Sequence, residues 1–241
     1  MNVASKLALL SLLVFPVPAQ EPAPEPAKPA PEQPKVLQLG DRVKGELALL
    51  DIDGVPQKAG SLMGKITVVN FYSIQCPIQA GWDQRLAQIQ KDFEGDGVVF
   101  LHIDSNVSEI GAEPPPPEQD IDAYAKVRSH LKEKQLPFRV LVDHGNKVAD
   151  LFDAKTTPHV YVFGNDGRLV YKGLVDDDPK DRNADSRSNY LRDVLGKLTK
   201  GEKVEPFTTK EQGCSIKRVS AGRKPGGRRR GGDQGGKDGG E

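Results

Sequence analysis

The chain has 241 residues, and its 34 lysines and arginines are balanced by 34 aspartates and glutamates. This length suggests one domain with appendages rather than several domains. Hydrophobic residues make up only 37% of the chain. The polar segments at both ends lower this average, and the central part has enough hydrophobic residues for an ordinary core. The two cysteines permit at most one internal disulfide, which excludes a disulfide-rich scaffold.

The N-terminus has the pattern of a signal peptide over residues 1–19. Lys6 supplies the positive charge, residues 7–15 form a short apolar run, and residues 17–19 resemble a small-residue cleavage site. The apolar run is short for a membrane span, so we expect no transmembrane segment after cleavage; an uncleaved anchor is the alternative. The pattern predicts export to a periplasmic or extracellular compartment, where disulfides persist.

Composition divides the rest of the chain into four parts. Residues 20–35 form a Pro-Ala-Glu tract that predicts an extended linker. A folded domain at residues 36–200 and a C-terminal extension at residues 201–217 follow. The glycine- and arginine-rich tail at residues 218–241 is expected to be disordered. From Lys217 onward there are eight basic and three acidic residues without interleaved aromatics, so we expect no specific nucleic-acid partner.

Residues 66–72 are an apolar run of β-branched and aromatic side chains, which predicts a buried strand. After a short break comes Cys76, followed directly by Pro77, and residues 78–93 carry apolar side chains at helical spacing. Because proline suits the first turn of a helix, the pattern places a thiol at a helix N-terminus, where a thiolate is favoured. A buried structural cysteine is the alternative.

Strand and helix patterns alternate along the remaining chain and end in a hairpin and a helix. The predicted strands cover residues 47–52, 98–103, 138–142, 159–163 and 168–172, and the predicted helices cover residues 120–135, 148–152 and 190–198. A turn signal at residues 165–167 marks the hairpin. This order predicts an α/β fold whose mixed sheet has helices on both faces. Polar loops at residues 104–118 and 176–178 are expected at the surface.

Several of these pieces together resemble the thioredoxin-like redoxin superfamily, over residues 40–198. The matching pieces are Gly64-Lys65, Val68-Val69-Asn70-Phe71-Tyr72, Cys76-Pro77, Thr157-Pro158 and Asn165-Asp166-Gly167. The members that the chain resembles are exported TlpA/ResA-type proteins and peroxiredoxin-like proteins related to AhpC/TSA. The resemblance implies a thioredoxin-like three-layer α/β/α sandwich with a mixed central sheet.

The resemblance also implies a set of site residues. The nucleophilic first cysteine of the family's Cys-x-x-Cys motif maps onto Cys76, while Gln79 stands where the second cysteine would be. The family's cis-proline maps onto Pro158, which has no N–H and leaves the preceding backbone of Thr157 available to a partner peptide. We place Pro77 with Thr157 and Pro158 as substrate-binding residues.

Peroxiredoxins carry Pro-x-x-x-Thr-x-x-Cys, and here Ser73 stands for the threonine while Val69 occupies the proline position. The resemblance implies that Ser73 donates a hydrogen bond to a thiolate or a peroxide oxygen; an ordinary loop hydroxyl is the alternative. Cys214 lies in a segment similar to the C-terminal extension of one redoxin branch. It is the candidate to resolve an intermediate on Cys76 by forming a disulfide, and an unpaired Cys214 is the alternative.

Two functional hypotheses follow. The first is an exported thiol-disulfide oxidoreductase or peroxiredoxin-like antioxidant with Cys76, Cys214 and Ser73 as catalytic residues. Its substrate is a protein disulfide or a hydroperoxide, and its electron donor is a thiol protein. It needs no organic cofactor, and we expect no metal site, although the mapping puts His159 near the thiol. The second hypothesis is a redox-inactive binding or scaffold protein that uses the cis-proline groove.

Overall fold

The structure, a computed structural model, describes residues 35–44, 47–58, 65–116 and 122–219. The signal peptide, nearly all of the linker and the tail after residue 219 lie outside the described residues, and their assignments stay predictions. Within the described part of the chain, no helix is long and apolar enough to cross a membrane.

The described residues form a sheet with helices packed around it. The strands are β1 (Ala48–Asp51), β2 (Pro56–Lys58), β3 (Thr67–Tyr72), β4 (Val99–Asp104), β5 (Val140–Val142), β6 (Thr156–Thr157), β7 (His159–Phe163), β8 (Leu169–Gly173), β9 (Phe207–Thr208) and β10 (Cys214–Ser215). The helices are α1 (Pro77–Ala80), α2 (Asp83–Glu94), α3 (Val107–Ile110), α4 (Ala125–Glu133), α5 (Lys147–Phe152) and α6 (Tyr190–Thr199).

Eight strands make one sheet in the order β2-β1-β5-β4-β3-β7-β8-β9, and β10 pairs with β6 in a separate two-stranded sheet. Strands β3, β4 and β5 are parallel, whereas β7 runs antiparallel to β3 and β8 antiparallel to β7. The sheet is therefore mixed. Strand β1 is also antiparallel to β2 and β5, and β9 is parallel to β8.

Strand β3 is the centre of the core. All six of its residues are buried, because neighbouring strands lie on both sides and both of its faces are covered. Side chains alternate between the faces of a strand: Val68 and Tyr72 belong to one apolar cluster, and Val69 and Phe71 belong to another. A strand covered on both faces requires a near-continuous apolar run, which is the pattern of this segment.

Helices cover the two faces of the sheet. The first apolar cluster receives Leu86 from α2, Val127 from α4 and Leu195 from α6. The second receives Ala149 and Phe152 from α5. The layers are thus helix, sheet and helix. This arrangement confirms the predicted α/β class and the thioredoxin-like three-layer sandwich with a mixed central sheet.

The helix predicted over residues 78–93 is divided into α1 and α2 at Gly81 and Trp82. A Cβ at Gly81 would lie 2.2 Å from the carbonyl oxygen of Pro179, so the absence of a side chain lets the loop before α6 approach the break. The indole N–H of Trp82 donates to Asp176 over 2.6 Å, and this bond ties the same loop to the start of α2.

The two loops predicted to lie at the surface are partly buried, contrary to the prediction. The loop after β4 forms α3 and buries Asp104 and Glu109. The loop after β8 buries Asp176 and Asp178. Backbone N–H groups donate to all four carboxyl groups, and such partners are what make buried acids tolerable. The composition of the loops does not reveal those partners.

Candidate active site

Cys76 lies where β3 and its following loop meet α1. Its backbone is extended, and Pro77 takes the first helical position. The residue is 2% exposed, so the sulfur is covered in this conformation. The sulfur accepts the N–H of Gln79 over 3.3 Å, and the S–H donates to the carbonyl oxygen of Thr157 over 2.9 Å. The sulfur therefore has one backbone donor and one backbone acceptor as neighbours.

Glu109 in α3 fixes the loop that leads to Cys76. Its carboxylate accepts the N–H of Ile74 at 2.8 Å and the N–H of Gln75 at 3.4 Å. It also accepts the hydroxyl of Ser73 at 2.5 Å. The resemblance implied that this hydroxyl donates to a thiolate or an oxidant, but in the structure it donates to Glu109. Ser73 therefore acts here as part of the support for the loop.

A second buried acid, Asp104, lies beside Glu109 at the end of β4. Burial and the neighbouring carboxylate of Glu109 raise the pKa of Asp104 well above its ordinary value. Two N–H groups of Asn106 donate to the same carboxyl group at 2.8 and 3.2 Å. The raised pKa favours a protonated Asp104, so this pair of acids avoids carrying two full negative charges in the core.

The peptide bond between Thr157 and Pro158 is cis, as the resemblance implied. Strand β10 pairs antiparallel with β6 and places Cys214 opposite Thr157. This pairing depends on Gly213, because a Cβ there would lie 2.3 Å from the carbonyl oxygen of Thr157. The backbone edge that the resemblance assigns to a partner peptide is thus occupied by the chain's own C-terminal extension.

The two cysteines meet beside Thr157. Both are free thiols, and Cys214 is partly exposed whereas Cys76 is buried. Burial and then the hydrogen bond and charge of Cys76 raise the pKa of the Cys214 thiol, while the N–H of Ile78 acts in the opposite direction. Both cysteines thus lie at Thr157, one through its side chain and the other through strand pairing, although 138 positions separate them along the chain.

Residues 213–219, here called the C-terminal strap, are held along their length. Ile216 is buried in the cluster that contains Phe71 and Phe152. Asn106 accepts the N–H of Lys217 at 3.0 Å, and Asn146 accepts the N–H of Val219 at 2.7 Å. These asparagines follow β4 and β5. The strap is therefore bound by hydrogen bonds at the carboxyl ends of two neighbouring strands.

Gln79 stands at the position of the motif's second cysteine and is fully buried. Its side-chain amide donates to Asp83 over 2.8 Å, and its backbone N–H donates to the sulfur of Cys76. Burial raises the pKa of Asp83 to about 6. The motif therefore has an amide in place of a second sulfur, and Asp83 of α2 contacts that amide.

His159 is buried and its ring contacts Tyr161. Its ring is 3.2 Å from the hydroxyl of Tyr161, and burial lowers its pKa to about 4. His102 is a core residue whose ring contacts Asn70 and Gln90. Across the ranges that the structure describes, no group of three or more His, Cys, Asp or Glu side chains is arranged to hold a metal ion.

Three residues of this region were not found from the sequence: Asn106, Glu109 and Asn146. Each contacts a segment that is distant in the chain, and nothing in a single sequence pairs such segments. The sequence holds a partial signal for two of them. Short polar runs at residues 104–106 and 145–146 lie at or just after the ends of buried strands. Sites in α/β sheets collect at those carboxyl ends.

A thiol at a strand-loop-helix junction, beside a cis-proline in a mixed sheet with helices on both faces, defines the class of thioredoxin-like redoxins. The model of the AhpC/TSA family matches residues 39–172, which is more than half of the chain. The chain belongs to the AhpC/TSA family.

Two solved structures are similar to this chain over nearly their whole length. A hypothetical protein from Sinorhizobium meliloti has a TM-score of 0.62 and 24% identity, and the match covers 78% of this chain and 98% of that one. An uncharacterised conserved protein from Geobacillus kaustophilus has a TM-score of 0.63 and 27% identity, with coverage of 78% and 95%. These likenesses support the fold. No curated protein matches the chain.

Proposed function

We propose that this redoxin is an exported two-cysteine thiol oxidoreductase, in which Cys76 is the nucleophile and Cys214 the resolving thiol. The observation that carries the proposal is the shared position of the two thiols at Thr157. The S–H of Cys76 donates to the carbonyl oxygen of Thr157, and the strand pairing puts Cys214 opposite the same residue. Gln79 cannot form a disulfide, so Cys214 supplies the sulfur that the first motif lacks.

The proposed reaction has two steps. In the first, the Cys76 thiol and a hydroperoxide become a sulfenic acid and an alcohol, or the thiol and a disulfide become a mixed disulfide and a free thiol. In the second, the Cys214 thiol attacks the sulfur of Cys76. The Cys76–Cys214 disulfide forms, and water or the second thiol leaves. Two thiol groups of an external donor then reduce the disulfide, so the cycle needs no organic cofactor.

Several contacts support Cys76 in this role. The N–H of Gln79 donates to the sulfur and stabilises the thiolate that attacks, or that leaves during reduction. Glu109 fixes the loop before the thiol, and Ser73 acts in our proposal through that loop. Thr157 and Pro158 border the sulfur and would position the substrate, with Pro77 fixing the start of α1.

Peptide mapping of the oxidised protein tests the pairing. The full chain is oxidised with hydrogen peroxide, digested without reduction and analysed by mass spectrometry. We expect a linked pair of peptides that contains Cys76 and Cys214, and a Cys214→Ser variant that retains sulfenic acid on Cys76. Free Cys214 beside oxidised Cys76 in the unsubstituted protein would refute the resolving role.

The second candidate function is a redox-inactive binding protein. The observation that favours it is the 2% exposure of Cys76, because a covered thiol that donates its proton to a carbonyl oxygen is typical of a structural cysteine. This candidate predicts that the reduced protein reacts with hydrogen peroxide and with small disulfides no faster than a free cysteine in solution does.

Export is the remaining part of the proposal and rests on the N-terminal pattern. We propose cleavage after Ala19, which leaves Gln20 at the new N-terminus and the proline-rich segment as a linker. N-terminal sequencing of the exported protein tests this site. A mature chain that still begins at Met1 would overturn it.

A further inference from the structure

The strap occupies a backbone edge that an extended polypeptide would need. Strands add to an exposed sheet edge through main-chain hydrogen bonds, and the edge of β6 lies directly beside Cys76. In the structure Cys214 and Ser215 pair with that edge. The N–H of Ile216 continues the contact to the carbonyl oxygen of Lys155 over 3.0 Å.

The strap is anchored mainly beyond its cysteine. Ile216 is 6% exposed and packs in the core, and the N–H of Val107 donates to the carbonyl oxygen of Lys217 over 2.8 Å. Asn106 and Asn146 hold the next backbone N–H groups. Residues 213–215, by contrast, are held by their pairing with the two-residue strand β6. The anchored part therefore keeps the paired part close to the edge and ready to return.

We propose that the C-terminal strap is an autoinhibitory occupant of this edge, which admits small oxidants to Cys76 and excludes polypeptide disulfides until residues 213–215 lift away. The inference rests on the proposed function and narrows its substrate class. A small oxidant needs a brief opening of a few ångströms over the sulfur. A polypeptide needs the whole edge, because its own backbone must replace the hydrogen bonds that the strap makes.

The experiment compares two glycine substitutions that add the same atom. In Gly213→Ala the new Cβ meets the carbonyl oxygen of Thr157 at 2.3 Å, whereas in Gly196→Ala it meets nothing within 4 Å. The full reduced chain is mixed with insulin, as a polypeptide disulfide, or with 2-hydroxyethyl disulfide, as a small one. Rapid alkylation and mass spectrometry then follow the loss of free Cys76 thiol, a readout that does not require Cys214 to resolve the product.

We expect the unsubstituted protein and Gly196→Ala to react with the small disulfide much faster than with insulin. In Gly213→Ala the ratio of the insulin rate to the small-disulfide rate should rise about tenfold or more, since each loss of ~1.4 kcal/mol in strap pairing raises the lifted population tenfold. Ile216→Ala loosens the anchor without adding an atom at Thr157 and should also raise this ratio of rates. If Gly213→Ala does not fold, the ratio measured for Ile216→Ala tests the proposal instead.

An unchanged ratio in a folded strap variant overturns the proposal. So does an unsubstituted protein that reacts with insulin as fast as with the small disulfide. Failure of the underlying function looks different: Cys76 would then react with neither disulfide, nor with hydrogen peroxide, in any of the variants.

Discussion

The S–H of Cys76 donates to the carbonyl oxygen of Thr157 over 2.9 Å, and that oxygen is also the atom that excludes a side chain at Gly213. One backbone carbonyl thus sets the position of the nucleophile and the path of the strand that carries Cys214. Because the two thiols are brought together by backbone geometry, a substitution at Gly213 should separate them directly, whereas one at Ile216 should act through the anchor of the strap.

Glu109→Gln should destabilise the protein and slow the reaction of Cys76. An amide retains one acceptor oxygen. With that oxygen toward Ser73, the NH₂ group would face the N–H of Ile74, which would lose its acceptor. The N–H of Gln75 also donates to the hydroxyl oxygen of Ser73 at 3.2 Å and keeps a partner. A buried donor left unpaired costs about 1–3 kcal/mol. Urea unfolding gives the change in stability, and the rate of Cys76 oxidation by hydrogen peroxide gives the effect on the thiol.

The control for this change is Glu113→Gln, which makes the same substitution on an exposed residue and should leave both measurements unchanged. If Glu109→Gln lowers the stability but not the rate of Cys76 oxidation, Glu109 supports the fold without positioning the thiol. Equal behaviour of the two variants would refute its role in both.

Ile216→Ala should expose Cys214 to alkylating reagents. The isoleucine is buried with Phe71 and Phe152, and removal of such a side chain costs about 2–5 kcal/mol where it is fully packed. Because residues 213–215 are held by pairing with the two-residue strand β6, the loss should appear largely as local opening. The alkylation rate of Cys214 in the folded, reduced protein measures it. Val219→Ala, at a residue that is 41% exposed, should leave that rate unchanged.

The fold was predictable because its signals are local. The apolar run before Cys76, the proline after it and the turn signal before β8 each specify their own segment, and the alternation of strand and helix then predicts the layers. These features depend on residues that are neighbours in sequence.

The contacts that hold the loops around the two thiols were not predictable, since they join residues that are distant in the sequence. Ser73 reads as a loop hydroxyl or a peroxide donor until Glu109 is seen to accept from it. Asp176 reads as solvated until Trp82 and Arg85 are placed beside it. In each case a buried carboxylate is stable because of partners that a different loop supplies.

Asp176→Asn tests the buried network between the loop after β8 and the start of α2. The carboxylate accepts the indole N–H of Trp82 at 2.6 Å and forms an ion pair with Arg85 at 3.2 Å. Asparagine retains one oxygen but removes the negative charge beside Arg85, which keeps its ion pair with Asp181 at 2.9 Å. A hydrogen bond to a charged group contributes about 1.5–3 kcal/mol, so weakening of the bond from Trp82 should lower the thermal midpoint, measured by circular dichroism.

The neighbouring change Asp177→Asn is the matched control, since that side chain is exposed. Its carboxylate accepts the N–H of Ser188 at 2.9 Å, and the oxygen of asparagine can accept the same N–H, so the midpoint should move little. Similar losses in the two variants would mean that the network around Asp176 does not hold this loop.

His102→Gln should remove part of the loss of stability in acid. Burial lowers the pKa of His102 to about 3, while in the unfolded chain its pKa is about 6.5. Between these values the unfolded state binds one proton more than the folded state, so stability falls as the pH falls, by up to about 1.4 kcal/mol per pH unit for this residue. Glutamine can keep polar contact with Asn70 and Gln90 but does not titrate. Urea unfolding from pH 7 to pH 4 gives the free energy of unfolding at each pH. Its slope against pH should be shallower in the variant by the equivalent of about one proton.

His159, Asp83 and Asp104 also titrate with shifted pKa values, but they are common to both proteins and cancel in the difference. Parallel slopes would mean that His102 is protonated in the folded protein within this range, against its burial.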